Sequence, residues 1–406
     1  MRKVILSNGM SVVFAGNASK YSVCASVNVG HVNEPKLGIA KVAENVLLSK
    51  LKGVLLVAGG TMTAYTSSGR DIDDVLAKLS GLFSEVVITE EDVSAAQELI
   101  CNQTMSLEKV SWRHAKNNYR LCAFGADSVK PTAVYLEAIK SYSVEDVKEF
   151  LSTYYTASNI VLVIAGPRED YSELQQLVVK YFGGVKKGVA LPRMMDNIYT
   201  GGAGFIDTED NMTRLMFGWD LYGLSVDDGP VCNVLMSMLL GRLERAYADN
   251  GYPDVSVELK VAGYYGLRTM RVMVVSHEVD AKALTDVFVK AINRICDSYA
   301  DDYRMERSRN AAMVEKLNKY NSSDDYALEV GWQMVGRGQM YGVSDRINSI
   351  SETTADDVRD LACRILRGSR LTYIVAQKKE KERYGYPAVM HAIGLSHLLK
   401  EEEWIK

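Results

Sequence analysis

Short apolar runs, broken by turn residues, alternate along the chain with longer stretches in which apolar positions recur at helical spacing. Near the start, Val4-Ile5-Leu6 and Val12-Val13-Phe14 flank Asn8-Gly9, a pair suited to the tight turn of a β-hairpin. Arg2 and Lys3 ahead of apolar residues also give the segment a faint signal-peptide character. Ser7-Asn8-Gly9 interrupts that run, and the hairpin is the better reading. Polar helical stretches are expected over 90–117 and 301–320. Residues 143–165 and 354–376 share one pattern: an N-capping Ser143 or Thr354, an acidic first turn, an amphipathic helix, then a β-branched strand.

These two segments align without a gap, so that Val147 falls on Val358, Ser158 on Ser369 and Ala165 on Ala376. At the same offset Thr89-Glu90-Glu91 falls on Ala300-Asp301-Asp302. The pattern predicts a duplication. It gives a first domain over 1–184, a linker over 185–199, a second domain over 200–377 and a charged tail over 378–406. In each half strands come first, helices follow, and a helix–strand pair closes the unit. That order predicts an α+β fold of two homologous domains, each a mainly antiparallel sheet flanked by helices.

The chain has 406 residues, 47% hydrophobic and 24% charged, which suits two globular domains. Its net charge of −4 argues against nucleic acid as the main partner. The six cysteines form no C-x-x-C pair and read as free thiols in a reducing compartment. No apolar run is long enough for a transmembrane helix.

Several stretches, taken in order, resemble the insulinase/pitrilysin family of zinc peptidases. They are Leu6-Ser7-Asn8-Gly9-Met10; Val27 to Pro35 with Gly30 and Glu34; Gly38-Ile39-Ala40; Gly59 to Ser67, read as an edge strand; and Tyr154 to Gly166 followed by Lys180-Tyr181-Phe182-Gly183. The resemblance covers about 4–376 and implies two domains facing across a cleft. In the active family the helix after Gly38 carries H-x-x-E-H, two imidazoles holding zinc and a Glu acting as general base. Here Lys41 stands at the first His, Glu44 at the Glu and Asn45 at the second His. An ammonium has no lone pair for a metal, and an amide oxygen suits calcium better than zinc. The third ligand position falls on Gln103, with Glu98 one turn away. The resemblance therefore implies no catalytic residue, no metal and no other cofactor, with Glu44 left to pair with Lys41 at i,i+3. The family's second half grips the peptide with an Arg and a Tyr seven residues apart. Arg245 and Tyr252 have that spacing, as would a surface Arg followed by a turn Tyr. The first half is short between Leu51 and Gly59 and after Gly69, which predicts a central strand and a helix shortened or missing.

Other chemistries find little support. The histidines at 31, 114, 277, 391 and 397 form no i,i+4 pair, and His31 with Glu34 only mimics half of a motif. No G-x-S-x-G elbow occurs, and Gly59-Gly60 and Gly201-Gly202 do not continue as phosphate loops. The resemblance implies a non-catalytic partner subunit. Its fullest form is a core-type subunit of mitochondrial ubiquinol–cytochrome c reductase, on the matrix face of the inner membrane, with a second family member and membrane-bound respiratory subunits as partners. The inactive partner of a processing peptidase, a bacterial partner subunit in cytoplasm or periplasm, and a divergent metallopeptidase are the alternatives. Trp404, near the end of the tail, is the candidate docking residue.

Overall fold

The structure, a computed structural model, describes residues 1–16, 19–83, 86–108, 111–167, 171–191, 199–225, 227–264, 267–320 and 322–400. The first half runs β1 (Arg2–Ile5), β2 (Ser11–Ala15), β3 (Tyr21–Val27), α1 (Ile39–Lys50), β4 (Leu55–Ala58), β5 (Thr63–Gly69), α2 (Ile72–Ser80), α3 (Glu90–Glu108), α4 (Ser111–Phe124), α5 (Thr132–Ser141), α6 (Val144–Tyr154), β6 (Ile160–Ala165) and α7 (Tyr171–Phe182). The second runs β7 (Gly202–Asp207), β8 (Thr213–Asp220), α8 (Asp228–Asp249), β9 (Ser256–Tyr264), β10 (Leu267–Ser276), α9 (Ala281–Asp297), α10 (Asp302–Asn318), α11 (Ser323–Arg337), α12 (Val343–Glu352), α13 (Ala355–Leu366), β11 (Thr372–Gln377) and α14 (Tyr386–Ala392).

The strands form two mixed sheets, ordered β1-β2-β6-β3-β5-β4 and β7-β11-β8-β10-β9. Each has one parallel pair, β2 with β6 and β7 with β11, and is otherwise antiparallel. The orders correspond strand for strand from β2 and β7 onward, and β1 is the extra strand of the first sheet. The hairpin at Asn8-Gly9 forms with Ile5 opposite Ser11, and Gly9 takes φ 92° in its turn. Helices α6 and α13 begin with capping boxes at Ser143 and Thr354, reciprocated by Asp146 and Asp357.

Three expectations change. The polar stretch 90–117 falls in two helices, α3 and α4, not one. Strand β5 is not an edge strand: β4 lies outside it, with Leu55 opposite Thr66. The apolar Leu55-Leu56-Val57-Ala58, in the segment that seemed short of a strand, makes this edge, so every strand of the second sheet has a counterpart in the first. What is reduced is length: β4 has 4 residues where β9 has 9, and α1 has 12 where α8 has 22.

Alternation along the central strands divides two cores. On β6, Ile160, Leu162 and Ile164 face helices of the first half, while Val161, Val163 and Ala165 join a separate cluster with Ala327, Val330 and Met334 of α11. On the second sheet, Tyr373 and Val375 face its own helices, while Ile374 and Ala376 pack with Ala115, Tyr119 and Ala123 of α4. Each half thus covers the outer face of its sheet with a helix of the other. Both faces of β6 and β11 are buried, which accounts for their unbroken apolar runs.

The second half also takes up most of the tail. Val389, Met390, Ile393 and Leu395 are buried in its core, and Gln377, Lys381 and Arg383 tie the charged stretch to Glu382, Thr213 and Asp207. The apolar positions between 384 and 399 thus pack into the second core; Trp404 lies outside the described residues. All six cysteines are free thiols, four of them buried. No helix of the described residues is long and apolar enough to cross a membrane.

Candidate functional site

Helix α1 starts where Gly38 adopts φ 83°, a left-handed conformation that a side chain resists. A Cβ there would also press on Ile139 and Tyr135. The helix N-terminus leaves backbone N–H groups without intrahelical acceptors. Glu34 supplies them: Oε1 accepts from Gly38 N at 2.5 Å and Oε2 from Ala40 N at 2.8 Å. Burial pushes the Glu34 carboxyl up to about 7 against these two bonds, and the nearby charge of Glu44 adds to the rise.

One turn into α1 the three motif positions lie together. Glu44 is 3% exposed, and its Oε1 accepts from Thr63 Oγ1 of β5 at 2.6 Å. Thr63 Oγ1 also lies 3.0 Å from the Val29 carbonyl, so its single proton is shared between two acceptors. Lys41 Nζ stands 3.9 Å from Glu44 Oε2, the expected i,i+3 pair, but Thr63 is the closer partner. Burial holds the Glu44 carboxyl above the ordinary carboxylate range; Thr63 and then Lys41 pull the other way. Asn45 turns its amide back on its own helix, donating Nδ2 to the Lys41 carbonyl at 2.7 Å.

Helix α3 lies antiparallel to α1. Lys50 pairs with Asp92 at 2.6 Å, and Asn45 and Ser49 share an open recess of about 280 Å³ with Glu91, Asp92, Ala95, Ala96 and Leu99. Gln103 therefore lies toward the Lys41 end of the helix pair, about one to two turns beyond the recess. It is exposed, as is Glu98. Among the described residues no hydrogen bond or ion pair joins Gln103 to Lys41, Glu44 or Asn45, and no group of three His, Cys, Asp or Glu side chains could hold a metal ion. An ammonium, a buried hydrogen-bonded carboxyl and an amide donating to backbone do not fit a zinc ion. Arg245 is exposed near the end of α8. Tyr252, in the turn that follows, is half-buried against the second core, with its N–H on the Tyr247 carbonyl. No described hydrogen bond brings either to α1.

Thr63 was not singled out by the motif reading, although it sits within Gly59 to Ser67; its partnership with Glu44 depends on β5 passing beneath α1. A second group, Lys116, Arg120, Lys260 and Arg271, has no motif at all and is brought together only by the packing of α4 on the second sheet.

Residues 141–312 match the family model described as "Peptidase M16 inactive domain". That match begins after Lys41–Asn45 and does not bear on those positions. A chain of complex III2 from Candida albicans, bound to Inz-5, has the same fold at TM-score 0.81 and 14% identity, covering 97% of this chain and 99% of that one. A protease from Helicobacter pylori superposes at TM-score 0.77 and 15% identity, covering 92% of this chain and 98% of the other. No curated protein matches in sequence. The chain thus shares its fold along nearly its whole length with these two proteins, and over 141–312 its sequence is similar to the inactive domain of the peptidase M16 family.

Proposed function

We propose that this protein is a non-catalytic member of the peptidase M16 family that works as a subunit, through its surfaces. The observation that carries the reading is the state of the three positions on α1: Lys41 brings a positive charge, Glu44 is committed to Thr63, and Asn45 presents a donor to its own backbone. None of these can hold or activate a metal-bound water. The halves, with matching strand orders and paired capping boxes, are read as a duplicated unit with domains at 1–184 and 200–377.

The specific role we favour is a core-type subunit of a respiratory complex on the matrix side of the mitochondrial inner membrane. The likeness to a chain of complex III2 supports it. The partners are then a second family member and membrane-bound redox subunits, met through an interface of about 2,000 Å² or more. The likeness to a bacterial protease supports the second reading, a divergent peptidase or the inactive partner of one. Elemental analysis of the purified chain, a peptide-cleavage assay and native electrophoresis of an extract separate them. The subunit reading expects no zinc, no cleavage, and migration with a partner well above 45.0 kDa. One zinc per chain with chelator-sensitive cleavage selects the peptidase, and migration as a monomer removes the subunit reading. Lys41→His with Asn45→His is not expected to create activity, because position 103 remains Gln.

A further inference from the structure

The junction of α4 with the second sheet gathers positive charge in a protein whose net charge is −4. On β10, Arg271 shares the α4-facing side with Met273, which packs in the α4 cluster. Directly opposite Arg271 in the register is Lys260 of β9, a like-charge cross-strand pair that a sheet ordinarily avoids. The Arg271 guanidinium lies 5.7 Å from the centre of the Tyr119 ring, and its Nε is buried without a hydrogen-bond partner. On α4, Lys116 and Arg120 are one turn apart on either side of Tyr119, and both are exposed. Among the described residues, Glu258, paired with Lys260, and Asp220, opposite Thr269 in the register, lie near this group. Burial and the charges of Arg271, Lys260 and Arg120 lower the proton affinity of Lys116, with Glu258 acting against them. The field extends toward α1: after burial, Arg120 and Lys41 both lower the pKa of His31.

We propose that this surface, formed by Lys116 and Arg120 of α4 with Lys260 and Arg271 of the β9–β10 hairpin, binds an acidic polypeptide segment. An anion adds to what Glu258 does for Lys260 and offsets the positive charge that Lys116, Arg120 and Arg271 gather on this face. The two cations on α4 are one helical turn apart and the two on β9 and β10 are on adjacent strands beside it, so each pair is spaced by roughly 5 Å. A single small anion meets one or two of them; an extended chain with carboxylates on alternate residues meets them all. The acidic balance of the rest of the molecule disfavours a nucleic-acid backbone, which needs a broad basic face. The inference goes beyond the subunit reading and stands on charge and geometry alone, so it survives even if the chain proves to be a peptidase.

The test uses the full-length chain and a fluorescein-labelled peptide of alternating Glu and Ser, followed by fluorescence anisotropy at low and physiological salt. The expected result is saturable binding that weakens with salt. It also weakens at least about tenfold in the Lys116→Glu/Arg120→Glu variant and in Lys260→Gln, while Arg359→Glu, elsewhere on the surface, leaves it unchanged. Thermal melts of each variant verify folding. Lys260→Gln, at an exposed position, keeps the test decisive if the double variant fails to fold. Absence of binding, equal binding of a labelled control peptide of alternating Lys and Ser, or full affinity in the variants overturns the proposal. So does displacement of the peptide by inorganic phosphate at comparable concentration, which assigns a small-anion site. Tighter binding of a single-stranded oligonucleotide with the same variant losses also overturns it, by assigning a nucleic-acid surface.

Discussion

Glu44 is an acid kept in a place that favours its neutral form, and Thr63 is what moderates the conflict. A carboxyl whose folded pKa is raised binds its proton more tightly folded than unfolded. Its contribution to stability is therefore present at low pH and falls as pH rises above its unfolded value, about 4.3. Thr63→Val removes the donor at 2.6 Å and should steepen that fall. Urea unfolding is expected to show a loss of about 1–3 kcal/mol at pH 8 and a smaller one at pH 5. Equal losses at both values would mean that the hydroxyl matters only for packing or for the Val29 carbonyl. The placing of Lys41, Glu44 and Asn45 at motif positions rests on the family resemblance, while their sharing of one face of α1 follows from their spacing. The Thr63 contact was not, because it joins residues on different elements and depends on where β5 passes beneath α1.

At the level of elements, the amphipathic patterns announced helices faithfully, but not which sheet each one covers. The apolar positions Ala327, Val330 and Met334 mark a buried stripe, and nothing local to α11 says that the stripe belongs against Val13, Cys24 and Val163 of the other half. The tail was hard to place for a similar reason. Its charged opening suggested a solvated arm, whereas the apolar positions from Tyr386 to Leu395 complete the second core. The seat of α11 is tight. Asp324, in its first turn, accepts from Ser22 at 2.5 Å and from Lys20 at 3.1 Å, and Gly331 passes so close to β3 that an added Cβ would overlap the Ser26 hydroxyl. Gly331→Val should force the helix outward. Because valine's methyls enlarge that overlap, it should cost at least about 1–3 kcal/mol, visible as a lower urea midpoint with an unchanged slope. Gly336→Ala, with open space at its Cβ, serves as the neutral control.

For the whole molecule, reciprocal covering makes the halves thermodynamically dependent. Without α11 the first sheet exposes Val13, Ala15, Met62, Ala64, Val161 and Val163; without α4 the second exposes Met216, Met273 and Ile374. Each fully buried aliphatic side chain is worth about 1.5–3 kcal/mol relative to exposure, a large fraction of a domain's net stability. Residues 1–191 and 199–406 made separately are therefore expected to aggregate or to bind a hydrophobic dye. Coexpressed, they should copurify as a one-to-one complex with a single unfolding transition. Two soluble, independently cooperative halves would show that the exchanged helices contribute little.

The exchange of helices also has a consequence in time. A ribosome emits β6 well before it emits α11, and at about 5–20 residues per second the stretch from Ala165 to Ala327 takes on the order of ten to thirty seconds. During that interval the outer face of the first sheet has no cover of its own. The nascent chain must either delay closing the sheet or be held by a chaperone until its distant helix arrives.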